Sequence, residues 1–393
     1  MIIKNGRLVM PDEILPADIA IENGRISEIG NNLAGEAIFD ANGMYVCPGF
    51  VDIHAHGGGG ADFLDGIDAF DTALRFHATW GVTSMLPTSI TAPIEIITDF
   101  ISNIRTQKKS DPAAHRRARI IGAHIEGPYL SQKNKGAQPE SWLRIPARDP
   151  YDFLLYGADV IRTVTLSPEL EGAVEMVRRL TKAGIIVCAG HDNGRKSTII
   201  PSIEAGVSHL THLWCAMSTV AMYDGVREPG LCEIGLVDDR LTAEIIADNH
   251  HMPPELVQIA YRCKGAKKLC VVSDCLRAGG MPCDGHIWAL GPKRARLTDF
   301  IVSDGVARLP DNTRLAGSIQ TVGQMVGNLA RYCNIPLTDA VRMASLTPAE
   351  IIGAERDIGS LTVGKRADIC ILDNELKPCA VFIDGININI ERE

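Results

Sequence analysis

The 393-residue sequence has no apolar run of membrane-spanning length. Its opening, Met1-Ile2-Ile3-Lys4-Asn5-Gly6-Arg7, shows neither the apolar core nor the small-residue cleavage site of a secretory signal. A cytoplasmic location is expected. Eleven cysteines are scattered singly, with no CxxC pair and no dense spacing, so reduced thiols packed as small core residues are expected rather than a disulfide framework. Basic charge is not in excess: a net charge of -9 argues against a nucleic-acid partner or an anionic membrane surface. Internal repeats and low-complexity segments are also missing. What is present is an ordinary globular balance, 46% hydrophobic and 22% charged, in a chain long enough for a large core and a smaller appendage.

The pattern along the chain changes twice. Over residues 1–47, short β-like pieces such as Arg25-Ile26-Ser27-Glu28-Ile29 alternate with turn signals at Asn5-Gly6, Asn23-Gly24 and Asn42-Gly43, which predicts half of a small β-domain. Residues 356–393 read alike and supply the other half. Between them, over 48–355, strands alternate with helical patterns. Strands are predicted at Phe50–His54, Val82–Pro87, Ala118–Glu126, Ile161–Leu166, Ile185–His191, Val207–Leu213, Thr242–Asp248 and Leu269–Asp274. Thr91 is the expected cap of a helix over 94–104, and Gly184 the expected stop of a helix over 171–183. A β-rich insertion is expected near 285–315, and helices over 318–332 and 337–343 close the pattern. The fold class is therefore α/β: a (β/α)8 TIM-like barrel with a small β-sandwich built from both termini.

Barrels of this kind place chemistry where their strands end, and several strands here end in metal-ligand residue types. The first carries His54 and His56, two apart and so on one face of a strand. Glu126 ends the third, His191 the fifth, His212 the sixth and Asp274 the eighth. Imidazole and carboxylate groups converging at one mouth suit a divalent metal, which acidifies bound water and polarises a carbonyl. Asp274 is placed to take a proton from the water and pass it to a departing amine, although an aspartate ending a strand is also a common helix cap. His124 and His209 fall close enough to support the ligands, whereas His77, His115 and His286 read as structural. Gly57–Gly60 lacks the following GK[ST] of a phosphate loop and reads as flexible backbone beside the metal site.

Several stretches resemble the N-acetylglucosamine-6-phosphate deacetylases of the amidohydrolase superfamily. They are Pro48-Gly49-Phe50-Val51-Asp52-Ile53-His54-Ala55-His56-Gly57, His124-Ile125-Glu126-Gly127-Pro128, Ala189-Gly190-His191, Thr211-His212-Leu213, Val272-Ser273-Asp274, Leu315-Ala316-Gly317-Ser318 and the Gly359–Asp368 return. The resemblance covers nearly the whole chain. It implies that Glu126, His191 and His212 are principal ligands of a divalent ion, that His54 and His56 match a second-metal pair, and that Glu126 bridges two ions where both bind. One or two ions are expected, zinc or iron first, manganese or cobalt as alternatives. It further implies that Asp274 is the general acid and base. His251 would contact the phosphate of a phosphorylated N-acetyl-hexosamine, and Arg227, in Arg227-Glu228-Pro229-Gly230, would reach the neighbouring site of a homodimer. Gln138, Cys215 and Ala216 match substrate-lining positions.

Two positions depart from the family pattern: Cys215 stands where asparagine is usual, and Asn249 where glycine follows the aspartate. A thiol cannot repeat the hydrogen bonds of an amide. The expected activity is acetate release from N-acetyl-D-glucosamine 6-phosphate, with the galactosamine epimer as the close alternative. A cyclic-amide hydrolase and a non-catalytic amidohydrolase-like binding protein are the readings from other classes.

Overall fold

The computed structural model describes residues 1–35, 37–282, 285–295 and 297–388. Arg296, inside the expected insertion, and residues 389–393, at the end of the expected terminal domain, lie outside the described residues. The two ends of the chain meet in one eight-stranded sheet. Its joint is Tyr45–Pro48, which pairs in parallel with Ile2–Val9 on one side and antiparallel with Ile369–Leu372 on the other, Cys47 opposite Cys370. Alternating residues such as Ile3, Ile19, Val46, Ile369, Ile371 and Phe382 fall on one face and form a separate buried cluster. This small domain is thus a single folded-over sheet closed by residues more than 300 positions apart.

The central region is the (β/α)8 barrel. Its strands are Phe50–Ala55, Val82–Ser89, Ala123–Glu126, Ile161–Leu166, Ile186–Ala189, Val207–Leu210, Thr242–Ile245 and Leu269–Val271, each parallel to the next. The ring is completed at the C-terminal mouth, where the Asp274 amide donates to the His54 carbonyl at 2.8 Å and Ala55 bridges Cys275. All eight residues of Val82–Ser89 are buried, as expected for a strand covered on both faces.

The helices follow from their apolar spacing. In Ala173–Lys182 the buried residues are Ala173, Met176, Val177 and Leu180, one stripe at helical period. Burying such side chains contributes roughly 1.5–3 kcal/mol each for the larger ones. The helix stops at Gly184, whose φ of +81° only glycine adopts without cost, and the next strand begins two residues later.

Four local expectations differ from the structure. The third strand is not continuous from Ala118: Arg119–Ile120 pairs separately, and the chain breaks at Gly122, where a Cβ would lie 2.9 Å from the Val160 carbonyl oxygen. The fifth to eighth strands end at residues 189, 210, 245 and 271, short of the expected 191, 213, 248 and 274. Thr91 does not cap the helix Ile94–Gln107, which starts after Pro93; the Thr91 amide donates instead to Gln138 Oε1 at 2.7 Å. The Gly57–Gly60 run is not loose. Gly57–Gly58 pairs with Ala61–Asp62 in a tight hairpin, and a Cβ on Gly57 would lie 2.1 Å from the Ala61 carbonyl oxygen.

After the eighth strand, Ile287–Leu290, Thr298–Ser303 and Val306–Arg308 form a three-stranded antiparallel sheet beside the mouth. Its outgoing segment returns to the barrel through paired hydrogen bonds between the Ser318 and Asp274 backbones and the Leu276 amide. Among the described residues no helix is long and apolar enough to cross a membrane.

Candidate metal and substrate site

Side chains two apart on a strand share a face, so Asp52, His54 and His56 rise in a line along the first strand. Asp52 lies deepest. Its carboxylate accepts from the His54 amide at 3.2 Å and the Ser273 amide at 3.3 Å, tying the first strand to the residue before Asp274. Burial, offset in part by Ser273 and the backbone of His54, pushes the Asp52 carboxyl up to about 6. His77, buried on the helix Ala69–Thr79, bonds the Gly57 carbonyl at 2.9 Å and so steadies the hairpin directly after His56.

The remaining groups arrive from strand ends that bend inward. His191, His212 and Asp274 have φ values of +48°, +25° and +46°. Such conformations cost on the order of 1–3 kcal/mol for residues other than glycine and persist only where the surroundings fix them. The fixing contacts are present. The Ser131 amide and the Ser167 hydroxyl both donate to the His191 carbonyl, at 3.1 and 2.6 Å, and the His212 amide donates to Glu244 Oε2 at 3.1 Å.

Glu126 sits at the centre. Its Oε1 is 3.1 Å from His191 Nε2, 3.0 Å from His212 Nε2 and 3.5 Å from His54 Nε2. Its Oε2 is 3.4 Å from His56 Nε2 and accepts from Gln138 Nε2 at 2.6 Å. Asp274 Oδ1 faces the other edge of the first-strand pair, 3.1 Å from His56 Nε2 and 3.6 Å from His54 Nε2. The structure therefore brings together His54, His56, Glu126, His191, His212 and Asp274 from five different strand ends.

Burial opposes charge throughout this cluster, and neighbouring groups outweigh it. The Glu126 carboxyl is held well below the usual range because His54 and His191 overcome its desolvation. Asp274 is lowered against burial by His56 and His54. For His54 burial likewise opposes protonation, yet Glu244 and Glu126 raise it well above its ordinary value, and Asp274 and Glu126 raise His56 to about 9. His124, edge-on to His54 at 4.5 Å between ring centres, is driven well below its ordinary value by burial and by the His54 charge. This is a site whose carboxylates call for positive charge.

The donor set fits a divalent ion. His54, Glu126 and His212 offer ligand atoms within 4.8 Å of one another, and so do His54, His56 and Asp274. His54 Nε2 is buried without a hydrogen-bond partner, and His191 Nε2 and His212 Nε2 face each other at 3.1 Å across one carboxylate oxygen. Imidazole nitrogens turned on each other in this way are explained by a shared cation.

One residue essential to this geometry escaped the sequence reading. Glu244, 1% exposed on the strand Thr242–Ile245, accepts from His54 Nδ1 at 2.9 Å, His209 Nε2 at 3.2 Å and the His212 amide. Its carboxylate holds a His54 proton at Nδ1, so Nε2 is the nitrogen that faces Glu126 and Asp274 and would be the one to bind a cation. The available signal was a lone carboxylate inside an otherwise apolar strand.

A cavity of about 410 Å³ opens from this cluster and is lined by Gln138, Trp214, Cys215, Ala216 and His251 as well as the ligands. Gln138 bridges Glu126 to the Thr91 amide, which fixes its amide orientation. His251 Nδ1 bonds Asp248 Oδ2 at 2.7 Å, and despite burial this carboxylate raises the imidazole above its ordinary value. Asn249 holds a φ of +65°, the conformation for which the family pattern's glycine is suited and which asparagine tolerates. Cys215 is half-buried in the cavity wall, and desolvation pushes the ionisation of its thiol strongly upward. Arg227 is not brought to this cavity. It is exposed on the hairpin Ala221–Tyr223 and Val226–Glu228, outside the lining of its own chain.

Comparisons with known proteins match the chain in sequence and in fold. The profile of the amidohydrolase family matches residues 45–389. The chain is 32% identical over 386 residues to the N-acetylglucosamine-6-phosphate deacetylase of Vibrio furnissii, covering 97% of this chain and 92% of that protein. It is 31% identical over 352 residues to the N-acetylgalactosamine-6-phosphate deacetylase of Escherichia coli O157:H7, covering 89% of each. The crystal structure of N-acetylglucosamine-6-phosphate deacetylase from Pasteurella multocida superimposes with a TM-score of 0.89 at 28% identity, over 98% of both chains.

Proposed function

The chain belongs to the amidohydrolase family, among its N-acetylglucosamine-6-phosphate deacetylases, and on that premise we propose that it hydrolyses the acetamide of N-acetyl-D-glucosamine 6-phosphate to acetate and D-glucosamine 6-phosphate. The observation that carries this reading is the convergence of Glu126, four imidazoles and Asp274 at one end of a cavity that also presents His251.

Glu126, His191 and His212, with His54 and His56 on the other side, would hold one or two divalent ions, zinc or iron first, with manganese or cobalt as alternatives. An ion held by such donors acidifies water and polarises a carbonyl oxygen. The protein's own groups do the rest. Asp274, kept ionised at neutral pH, accepts the proton from the attacking water as the new C–O bond forms. It returns that proton to the amide nitrogen as the C–N bond breaks, so that a neutral amine leaves and acetate remains. Gln138, Trp214, Cys215 and Ala216 frame the sugar, and protonated His251, braced by Asp248, faces its phosphate.

We further place the enzyme in the cytoplasm as a homodimer. Cys47, Cys188 and Cys270 are buried without a disulfide, and Arg227 is exposed on its hairpin outside the cavity lining of its own chain, which suits a residue offered to a second copy. The galactosamine epimer is the second reading, favoured by the E. coli relative and by the thiol at Cys215 in the cavity wall.

The deciding experiment is acetate release from both 6-phosphates and their unphosphorylated sugars, using metal-analysed protein before and after chelation. Chelator-sensitive release from N-acetylglucosamine 6-phosphate is expected. Release from the galactosamine epimer alone reassigns the sugar, and no release from any of them by metal-loaded protein overturns the reading.

A further inference from the structure

The cavity is lined by acidic and imidazole groups, and among its described lining residues just one carries a lysine or arginine charge. That residue is Arg314. We propose that Arg314 determines substrate specificity within each chain, holding with His251 the anionic group of the sugar at the far end from the acetamide. The inference rests on the phosphorylated-sugar reading above and names the residue that enforces it.

Three observations carry it. The first is availability. Arg314 is exposed, and no hydrogen bond or ion pair with any described residue engages its guanidinium. The nearby Asp311 carboxylate is already occupied by the amide and hydroxyl of Thr313. The second is position. Leu309 donates its amide to the Arg314 carbonyl at 3.0 Å, and Leu315 bridges Arg308. Four residues on, the Ser318 amide bonds the Asp274 carbonyl at 2.9 Å, so the backbone bearing Arg314 is registered against the proton-transferring residue. The third is the contrast with Arg227, which lies outside the cavity of its own chain. Among the described residues of each chain, the cavity's guanidinium comes from Arg314, whatever a second copy adds.

The chemistry suits a phosphate monoester. A guanidinium offers paired donors to two phosphate oxygens, and His251, which lines the same cavity, supplies a third donor. An unphosphorylated sugar leaves the Arg314 guanidinium with no hydrogen-bonded or ion-paired partner among the described residues.

The test uses the full-length, metal-loaded protein and its Arg314→Ala, Arg314→Lys and Arg227→Ala variants. The readouts are kcat and KM for phosphorylated and unphosphorylated N-acetyl-hexosamine, and competitive inhibition by inorganic phosphate. For Arg314→Ala, KM for the phosphorylated sugar is expected to rise about 10- to 100-fold, as for loss of a charge-assisted contact, with kcat little changed. Turnover of the unphosphorylated sugar should be unaffected, phosphate inhibition should weaken in parallel, and Arg314→Lys should restore part of the loss. An unchanged preference for the phosphorylated sugar in Arg314→Ala overturns the inference, as does an equal loss on both sugars. A wild-type enzyme that does not prefer the phosphorylated sugar refutes the functional reading instead.

Discussion

Replacing Glu244 by glutamine is the sharpest single perturbation of the site, because it changes one charge at nearly constant shape in a position no substrate touches. Glu244 accepts three hydrogen bonds, from His54 Nδ1, His209 Nε2 and the His212 amide. A glutamine oxygen can keep the two donors that share Oε2, His54 Nδ1 and the His212 amide, while its NH2 group faces His209 Nε2 and obliges that ring nitrogen to accept. His54 keeps its Nδ1 proton but loses the negative charge behind it, which makes its Nε2 a weaker donor to a bound ion. Loss of such support behind a metal-bound histidine typically costs about 10- to 100-fold in metal affinity. At 1.36 kcal/mol per tenfold change this is roughly 1.4–2.7 kcal/mol. Losing one or two charge-assisted bonds in the core should also lower stability by about 2–4 kcal/mol. The assay is a competitive chelator titration with metal analysis, run beside thermal unfolding of the metal-stripped protein. Weaker metal binding together with a lower melting temperature is expected. Wild-type metal affinity in a destabilised variant would refute the claim that the Glu244 charge strengthens His54 as a ligand and leave Glu244 a purely structural acceptor.

Two further outcomes follow from the site. Asp274→Asn should keep metal content and sugar-phosphate binding while kcat falls by about 10²- to 10⁴-fold, the usual worth of a positioned acid and base; loss of metal along with turnover would make Asp274 chiefly a ligand. For His251 the sign runs with protonation. Its folded pKa is raised above the ordinary 6.5 and that of Asp248 is lowered below 3.8. The pair's contribution to stability is therefore full between those ordinary values. It is lost as pH falls through the folded value of Asp248 or rises through that of His251. KM for the phosphorylated substrate should accordingly climb as pH rises above the His251 value, and Asp248→Asn should move that climb to lower pH. A KM flat across the alkaline range in both proteins would remove His251 from phosphate binding.

Much of this protein was legible in its sequence because the relevant signals are local. Period-two and period-3.6 patterns marked the strands and helices, and strand-end histidines and carboxylates named the cluster, since a barrel of known hand delivers strand ends to one mouth. The β-like pieces at both ends of the chain pointed to one terminal sheet. Finer features failed for physical reasons. Strand ends were read too long because His191, His212 and Asp274 bend into left-handed backbone that only their tertiary hydrogen bonds support. Thr91 looked like a cap, but its amide is claimed by Gln138 from 47 positions away. The glycine run looked flexible, whereas the Ala61 carbonyl and Phe76 press against Gly57 and Gly58 so closely that no side chain fits.

The sequence by itself determined the architecture and the residue types available for chemistry, because both are written in spacing along the chain. Only the tertiary structure decided which groups support and complete them. Glu244 became the residue behind His54, Arg314 entered the substrate cavity, and Arg227 was left outside it. These outcomes depend on ring closure and on loops folding back over the mouth, and contacts between residues so far apart leave no period in a sequence.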